Sequence, residues 1–523
     1  MSAYESLARR AAIEIQGWLD ELMPASEYDK AGLPKAFYPQ VLQPAIATGT
    51  EKIAVLRHFL DRPFLYLYRN VQVPSDRQVI IFSWIMTHGF GDLIAQYEIA
   101  KIIKKRFAKL PLQLISLIHK DASLPFPCPG DVCTRIPFDT NEEMKLEYFP
   151  EEVLHQMASS ALIFQTPTYY PYTQELWKKL YQMKGILDPL PKEEILGEYG
   201  FTKASWAHPN TEARCLGLHF LEKGILTFEE KNDGGAFDFS HLSSEQLHLI
   251  FGKPSLTEEA FRAYGKKRIF AFPYLITNEG HFIYLYALIK SLSRDRRDID
   301  IATPDIGGFL RGLQAWLKKG NAFSHYHVKE IQIYFKQSKS KIPIGKTGKI
   351  VRIMHLGPIA PEDFRRLVRL NEGVFGCRGD QSFSHAVSFQ KPFFYDGLTH
   401  SEPFLLDLLY IIRGKFPQAE ALARSVEISL ALMETEIDVL TLGEELGAIW
   451  QSPAFYRAMK QLCTFLKEHY SANDLIGDII GRSLCHYYHP KIAEGEQKIK
   501  EDILHKKISF SEGIAKCRSI LYS

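Results

Sequence analysis

The sequence predicts an α/β chain made of two consecutive βαβ series with helical segments at both ends. Three observations predict it. The apolar run Val79-Ile80-Ile81-Phe82 leads into a glycine-bearing turn and then a helical stretch. The run Ile269-Phe270-Ala271-Phe272 repeats that order, and from 416 onward the pattern is helical alone. Continuous apolar runs bounded by turn residues are what strands covered on both faces require.

Taken in order, residues 1–76 read as a helical N-terminal extension with helices at 7–22 and 51–60 and the exit Pro74-Ser75-Asp76. Residues 77–265 form the first α/β domain. Its strands are expected at 78–84, 112–118, 161–164 and 215–220, with a helix over 93–107. Residues 266–415 form the second, with strands at 268–272, 299–302, 331–335 and 351–354 and helices at 281–292 and 361–370. Residues 416–523 are a helical C-terminal region.

With 523 residues, 46% hydrophobic and 12% aromatic, the chain exceeds one core, so two or three domains are expected. A net charge of +2 argues against a dedicated nucleic-acid binder. The seven cysteines at 128, 133, 215, 377, 463, 485 and 517 are scattered and form no disulfide framework, which points to a reducing compartment. The start Met1-Ser2-Ala3-Tyr4-Glu5-Ser6 lacks the pattern of an export signal, and no run of about 18 apolar residues occurs. A cytoplasmic protein without a membrane span is expected. A bacterial effector injected into a host cell by a dedicated machine would share this start.

The stretch Gly376-Cys377-Arg378-Gly379-Asp380-Gln381-Ser382-Phe383-Ser384-His385-Ala386, followed by Lys391-Pro392-Phe393, is the densest in chemistry. It reads as a strand end, a tight turn, a helix start at Gln381-Ser382 and a second strand. Free backbone N–H groups, a helix N-terminus and Arg378 around one crevice suit a diphosphate. The plain alternative is a structural turn in which Asp380 or Ser382 caps the helix. The counterpart in the first domain is Thr87-His88-Gly89-Phe90-Gly91-Asp92, where glycines admit close approach to the backbone. There Asp92 is a candidate general base and His88 a partner with a near-neutral pKa, against the plain alternative of an N-cap.

Asp363-Phe364, residues 375–386, Lys391-Pro392-Phe393 and His400 resemble the C-terminal half of the bacterial arginine rhamnosyltransferases that modify an elongation factor. The likeness is best over 351–405 and extends weakly to 79–107. It implies a GT-B glycosyltransferase: two Rossmann-like domains facing across a cleft, the C-terminal one holding a nucleotide-sugar donor. By the same resemblance Arg378, Gly379, Asp380, Gln381 and Ser382 lie against the donor diphosphate and sugar, Asp380 standing at the family's catalytic Glu. Phe272, Tyr274 and Phe364 line the base pocket, and Asp92 matches a family Asp on the acceptor side. His88 stands where the family has another Asp, and Gln381 where it has a second acid.

The expected activity is therefore metal-independent transfer of a sugar from a nucleotide-diphosphate sugar, with inversion, and with a protein side chain among the acceptors. No cofactor beyond the donor substrate is expected. A non-catalytic binding protein on the same scaffold and a nucleotide-sugar epimerase are the alternatives. Weaker patterns favour plain readings. Gly345-Lys346-Thr347-Gly348 has Ser340 where a P-loop has its first glycine, and residues 336–349 read as a solvated basic loop. Cys128, Cys133, Cys485, His486 and His489 lack zinc spacing. Ser240-His241 with Glu245 reads as a helix cap, and Thr168-Tyr169-Tyr170-Pro171-Tyr172, after a strand end on the side where acceptors bind in the resembling fold, as an acceptor contact or, more plainly, a packed loop.

Overall fold

The computed structural model describes residues 3–34, 52–85, 91–119, 133–138, 149–166, 174–183, 191–197, 199, 211–219, 222–228, 237–305, 307–317, 322–335, 338–434 and 437–522. The chain divides into two units: 1–122, 128–226 and 469–523, and 123–127 with 227–468. The sequence suggests boundaries at 265 and 415; the chain instead leaves the first unit near 226 and returns to it near 469.

The first unit opens with α1 (Ala3–Leu22), α2 (Ala25–Lys30) and α3 (Lys52–Leu67). The helix expected at 51–60 runs on through Pro63 for almost two further turns. Six strands follow: β1 (Val79–Ile85), β2 (Leu112–His119), β3 (Cys133–Phe138), β4 (Leu162–Gln165), β5 (Lys192–Gly197) and β6 (Thr211–Cys215). Between them lie α4 (Gly91–Arg106), α5 (Glu151–Ser159) and α6 (Gln174–Met183). The strands are all parallel in the order β3-β2-β1-β4-β5-β6, the Rossmann arrangement, whose switch point falls between β1 and β4. One face buries Ile80, Phe82, Ile115, Leu117 and Ile163 against Val153, Leu154 and Met157 of α5 and Leu180 of α6. On α4, the buried Gln96 donates to the carbonyls of Ile81 and Ile115 and accepts from Ser116. The strand expected at 215–220 ends at Cys215.

The second unit begins with α7 (Ser244–Phe251) and α8 (Glu258–Gly265). Its strands are β7 (Arg268–Ala271), β8 (Asp298–Thr303), β9 (Val328–Phe335), β10 (Ser338–Pro343), β11 (Lys349–His355), β12 (Phe375–Cys377) and β13 (Phe393–Tyr395). Helices α9 (Asn278–Ser291), α10 (Gly307–Leu317), α11 (Pro361–Leu370) and α12 (Gly379–Ser388) connect them. The main sheet has the order β10-β9-β11-β8-β7, parallel except for β10, and β12 pairs with β13 in parallel. Two backbone bonds, Glu372 N–H to the Phe270 carbonyl at 3.0 Å and Tyr274 N–H to the Gly376 carbonyl at 2.7 Å, tie the β12 arm to the far side of β7. From β7 the chain therefore goes to β8 on one side and later to β12 on the other, a second switch point. The residues read as a basic loop, 336–349, contain the edge strand β10, on which Ser340 sits.

Helices α13 (Glu402–Lys415), α14 (Glu420–Ala431), α15 (Val439–Trp450) and α16 (Pro453–His469) complete this unit, α15 packing on α9. The chain then re-enters the first unit as α17 (Asn473–Tyr488), α18 (Pro490–Leu504) and α19 (Phe510–Tyr522). These three share one core with α1–α3, built on Leu19, Leu60, Phe64, Tyr68, Ile503, Phe510 and Ile514. The two ends read from sequence as separate helical additions are one layer, with α17 resting on α4, β4 and β5.

A buried ionic cluster pins that layer to the sheet. Arg482 of α17 reaches Asp61 of α3 at 2.5 Å and Glu496 of α18 at 3.6 Å. Lys500 bonds Glu496 at 2.5 Å and Asp61 at 3.4 Å, and the Tyr68 hydroxyl donates to Glu496 at 2.5 Å. On the sheet, Glu194 of β5 pairs with Arg214 of β6 and accepts from Ser483 of α17. This explains how a strand beginning Lys192-Glu193-Glu194 lies buried: its charge is met on both sides. Burial alone would raise the Asp61 and Glu496 pKa values, but the cations around them hold both carboxylates below their ordinary range.

Arg482 is 2% exposed, and removing it leaves two buried carboxylates short of a partner. Arg482→Met is expected to lower stability at pH 7 by about 3–5 kcal/mol, measured by urea unfolding. The two carboxylates have depressed folded pKa values, so their contribution is complete above about pH 5 and is lost as pH falls through the folded values. The gap between wild type and Arg482→Met should accordingly narrow in acid titrations.

Candidate functional site

At the carboxyl edge of β7, β12 and β13 the second unit brings together the loop 272–277, the start of α12 and Asp396. Gly379, with φ +68°, makes the turn out of β12. A Cβ there would meet nothing within 4 Å, so the glycine serves its backbone conformation and leaves open space beside it. Arg378 is the N-cap of α12 and makes no side-chain cap. The helix thus starts at Gly379, two residues before the start read from sequence. Ser382 turns its hydroxyl back on the turn, accepting from Arg378 N–H at 2.9 Å and contacting the carbonyls of Arg378 and Gly379. That use of Ser382 fixes the turn at the N-terminus of α12, where the helix dipole favours an anion.

The Arg378 guanidinium lies 4.6 Å from the Tyr274 ring centroid, a geometry that holds the cation over an aromatic face. Tyr274 meets Phe364 edge-on at 5.5 Å, and Phe364 meets Phe272 at 5.2 Å. Phe272 is fully enclosed and Phe364 is 9% exposed, while Tyr274 is half-buried. Of the three aromatics, Tyr274 is the one with surface to offer, and Phe272 supports Phe364 from behind. Arg378, Gly379 and Asp380 are also partly exposed. Gln381 is 8% exposed, and its side-chain oxygen has no hydrogen-bond partner among the described residues.

Neighbouring residues of the same motif do structural work. Lys391 donates to the carbonyls of Arg369 at 2.6 Å and Asn371 at 3.0 Å, closing the C-terminal end of α11, and burial pushes its pKa down to about 8. Asp363 is fully buried and accepts from the N–H groups of Ser240, His241 and Leu242 at 3.2, 2.9 and 2.6 Å, with Arg366 at 2.7 Å. The helix there is capped by Ser243 in a capping box with Gln246, not by Ser240.

In the first unit, the switch point between β1 and β4 is followed on one side by 86–90 and on the other by 167–173. His88, Gly89 and Thr168-Tyr169-Tyr170-Pro171-Tyr172 lie outside the described residues, as does Cys128. Asp92 is the second residue of α4, where the helix dipole favours a carboxylate. In sequence, the two stretches thus follow the two strands that flank the switch point. His486 bonds the Tyr68 hydroxyl at 2.9 Å and Glu496 at 3.2 Å within the ionic cluster. Among the described residues no three His, Cys, Asp or Glu gather as a metal would need, and no helix is long and apolar enough to cross a membrane.

The residue that sequence reading passed over is Asp396, directly after β13. It is fully buried and accepts from Ile276 N–H at 2.7 Å, Thr277 N–H at 2.8 Å and the Thr277 hydroxyl at 2.6 Å. Burial raises its pKa, against the bonds it accepts. His281 in the first turn of α9 directs Nδ1 at the Thr277 carbonyl at 2.6 Å, and burial holds its pKa below the usual value. An acid four residues past Lys391-Pro392, before Gly397, is its only trace in the sequence.

No protein-family model and no curated protein sequence matches the chain. Among solved structures it resembles a glycosyltransferase from Rickettsia africae at 9% identity over 79% of this chain and 99% of that one, TM-score 0.37. It resembles Medicago truncatula UGT71G1 in complex with UDP-glucose at 10% identity over 78% and 99%, TM-score 0.38. A third is the α,α-trehalose 6-phosphate synthase of Burkholderia multivorans, at 8% identity over 78% and 98%, TM-score 0.34. Likeness at this level leaves the function to be argued from the chain's own residues.

Because Gly379 is held at φ +68° with room for a side chain, Gly379→Ala is expected to cost about 1–2 kcal/mol through backbone strain alone. Gly379→Asn should cost less, since asparagine tolerates that conformation. Paired urea titrations of the two variants check this ordering.

Proposed function

We propose that the chain is a glycosyltransferase that moves a sugar from a nucleotide-diphosphate sugar held by the second unit to an acceptor served by the first. The observation that carries the reading is the start of α12: opened by a left-handed glycine, with no cap from the Arg378 side chain, and overlooked by that guanidinium on Tyr274, at the switch point of a parallel sheet. A group that gathers amide donors and a guanidinium there is complementary to a diphosphate.

In the proposed reaction the acceptor's oxygen or nitrogen attacks the anomeric carbon as the bond from that carbon to the diphosphate oxygen breaks. The leaving diphosphate takes the electron pair, and Arg378 and the first amides of α12 stabilise the charge that develops. Asp92 accepts the acceptor's proton, with His88 as its partner. Tyr274 receives the base, with Phe364 and then Phe272 behind it. Gly379 and Gln381 border the diphosphate, Ser382 holds the turn, and Asp380 stands beside the sugar. Charge stabilisation by protein groups makes the proposed transfer independent of a metal or other cofactor. Inversion at the anomeric carbon and a protein acceptor rest on the resemblance to the arginine rhamnosyltransferases; a reducing compartment such as the cytoplasm is favoured by the scattered cysteines.

Thermal unfolding with UDP, GDP and dTDP tests the donor site. One of them at about 100 times its Kd should stabilise the chain by about 2.7 kcal/mol, and no shift with any would sink the reading. Arg378→Ala should weaken that nucleotide about tenfold or more, the loss of a charge-assisted contact. Asp92→Asn should keep nucleotide binding while donor turnover falls about 100-fold or more. Normal binding with no turnover by wild type, over all acceptor pools supplied, would favour a binding protein on the same scaffold.

A further inference from the structure

Resting on the donor-site reading above, we propose that Asp396 is a positioning residue of the nucleotide site: its carboxylate sets the loop 272–277 so that Tyr274 and Arg378 hold the diphosphate-side geometry. A loop bounding a ligand crevice must have its backbone groups satisfied in one conformation, or the crevice has no fixed shape. Here successive bonds fix it. Phe272 N–H donates to the Asn371 side-chain oxygen at 2.8 Å, and Tyr274 N–H to the Gly376 carbonyl at 2.7 Å. Ile276 and Thr277 N–H both donate to one oxygen of Asp396.

The carboxylate is a junction of three segments. Its own N–H donates to the Cys377 carbonyl at 2.8 Å, one residue before Arg378. Its second oxygen takes the Thr277 hydroxyl, whose oxygen in turn accepts from Gly280 N–H at 2.8 Å as the N-cap of α9. Asp396 therefore links the end of β12, the loop carrying Tyr274 and the start of α9. The fit is close on the far side too: a Cβ on Gly280 would sit 2.4 Å from the carboxylate. On the near side, a Cβ on Gly376 would sit 2.7 Å from Leu275. A carboxylate suits this place because it is acceptor-only, and three donors converge on it. Asparagine has nearly the same shape but must turn an N–H₂ toward at least one of those donors.

The full-length chain is titrated calorimetrically with UDP, GDP and dTDP, as wild type, Asp396→Asn, Thr277→Val, Thr277→Ser, Arg378→Ala and the Arg378→Ala/Asp396→Asn pair. Near-UV circular dichroism confirms that each is folded at the assay temperature. Asp396→Asn and Thr277→Val are expected to weaken the bound nucleotide about tenfold. Thr277→Ser should restore wild-type affinity. Since part of the loss is exerted through Arg378, the pair should lose less affinity than the two single losses combined. Wild-type affinity in folded Asp396→Asn overturns the proposal and leaves the donor site standing, as do fully additive losses in the pair. If wild type binds none of the nucleotides, the donor-site reading fails and this proposal with it. Should Asp396→Asn not fold, Thr277→Val decides: tight binding by it is the overturning result.

Discussion

A parallel strand followed by a helix puts the helix N-terminus, with its unpaired amides, at the carboxyl edge of the sheet, and everything functional in this chain depends on that geometric constraint. Both units obey it. In each, the chain leaves its first strand to one side and returns later on the other, so that two loops part at one point of the edge. In the second unit the parting loops are the one carrying Tyr274 and the one carrying Arg378 and Gly379. The crevice follows from topology; its chemistry follows from which residues stand at those strand ends.

Holding such a sheet requires cover on both faces, and the chain obtains part of that cover from its own two ends. Six helices from opposite termini share one apolar core. Asp61, Arg482, Glu496 and Lys500 interlock beneath them, with Glu194 and Arg214 on the strands. Ion pairs so enclosed add little net stability over apolar contacts, yet a misplaced helix would strand several charges at once. The cluster thus penalises wrong registers of the terminal layer. In the second unit the same principle acts at small scale: the buried Asp363 and Asp396 and the half-buried Lys391 each direct a charged group at backbone groups.

Much of the α/β layout is legible in the sequence because buried parallel strands must be apolar throughout. The runs at 79–82, 112–118 and 268–272 announce themselves in that way, and β1, β2 and β7 lie there. What fails is instructive. β5 begins Lys192-Glu193-Glu194, which no periodicity assigns to a buried strand, because the cation that neutralises Glu194, on Arg214, and the hydroxyl that donates to it, on Ser483, come from other elements. β10 reads as a solvated basic loop because an edge strand with exposed lysines has no apolar face to show. At the site, Gly379 and Arg378 could be found from their local pattern. Asp396 could not, since its partners Ile276 and Thr277 are about 120 residues away.

By itself, then, the sequence determined the two βαβ series, the turn at Gly379 and the helix that follows it, since these rest on apolar runs and on a backbone conformation that glycine favours. Only the tertiary structure decided that the two helical ends form one layer, that Phe272 stands behind Phe364, and that Asp396 fastens the loop of Tyr274. The physical reason is range. Propensity and periodicity act over a few residues, whereas the pairing of buried charges and the sharing of a core are settled only when distant segments meet.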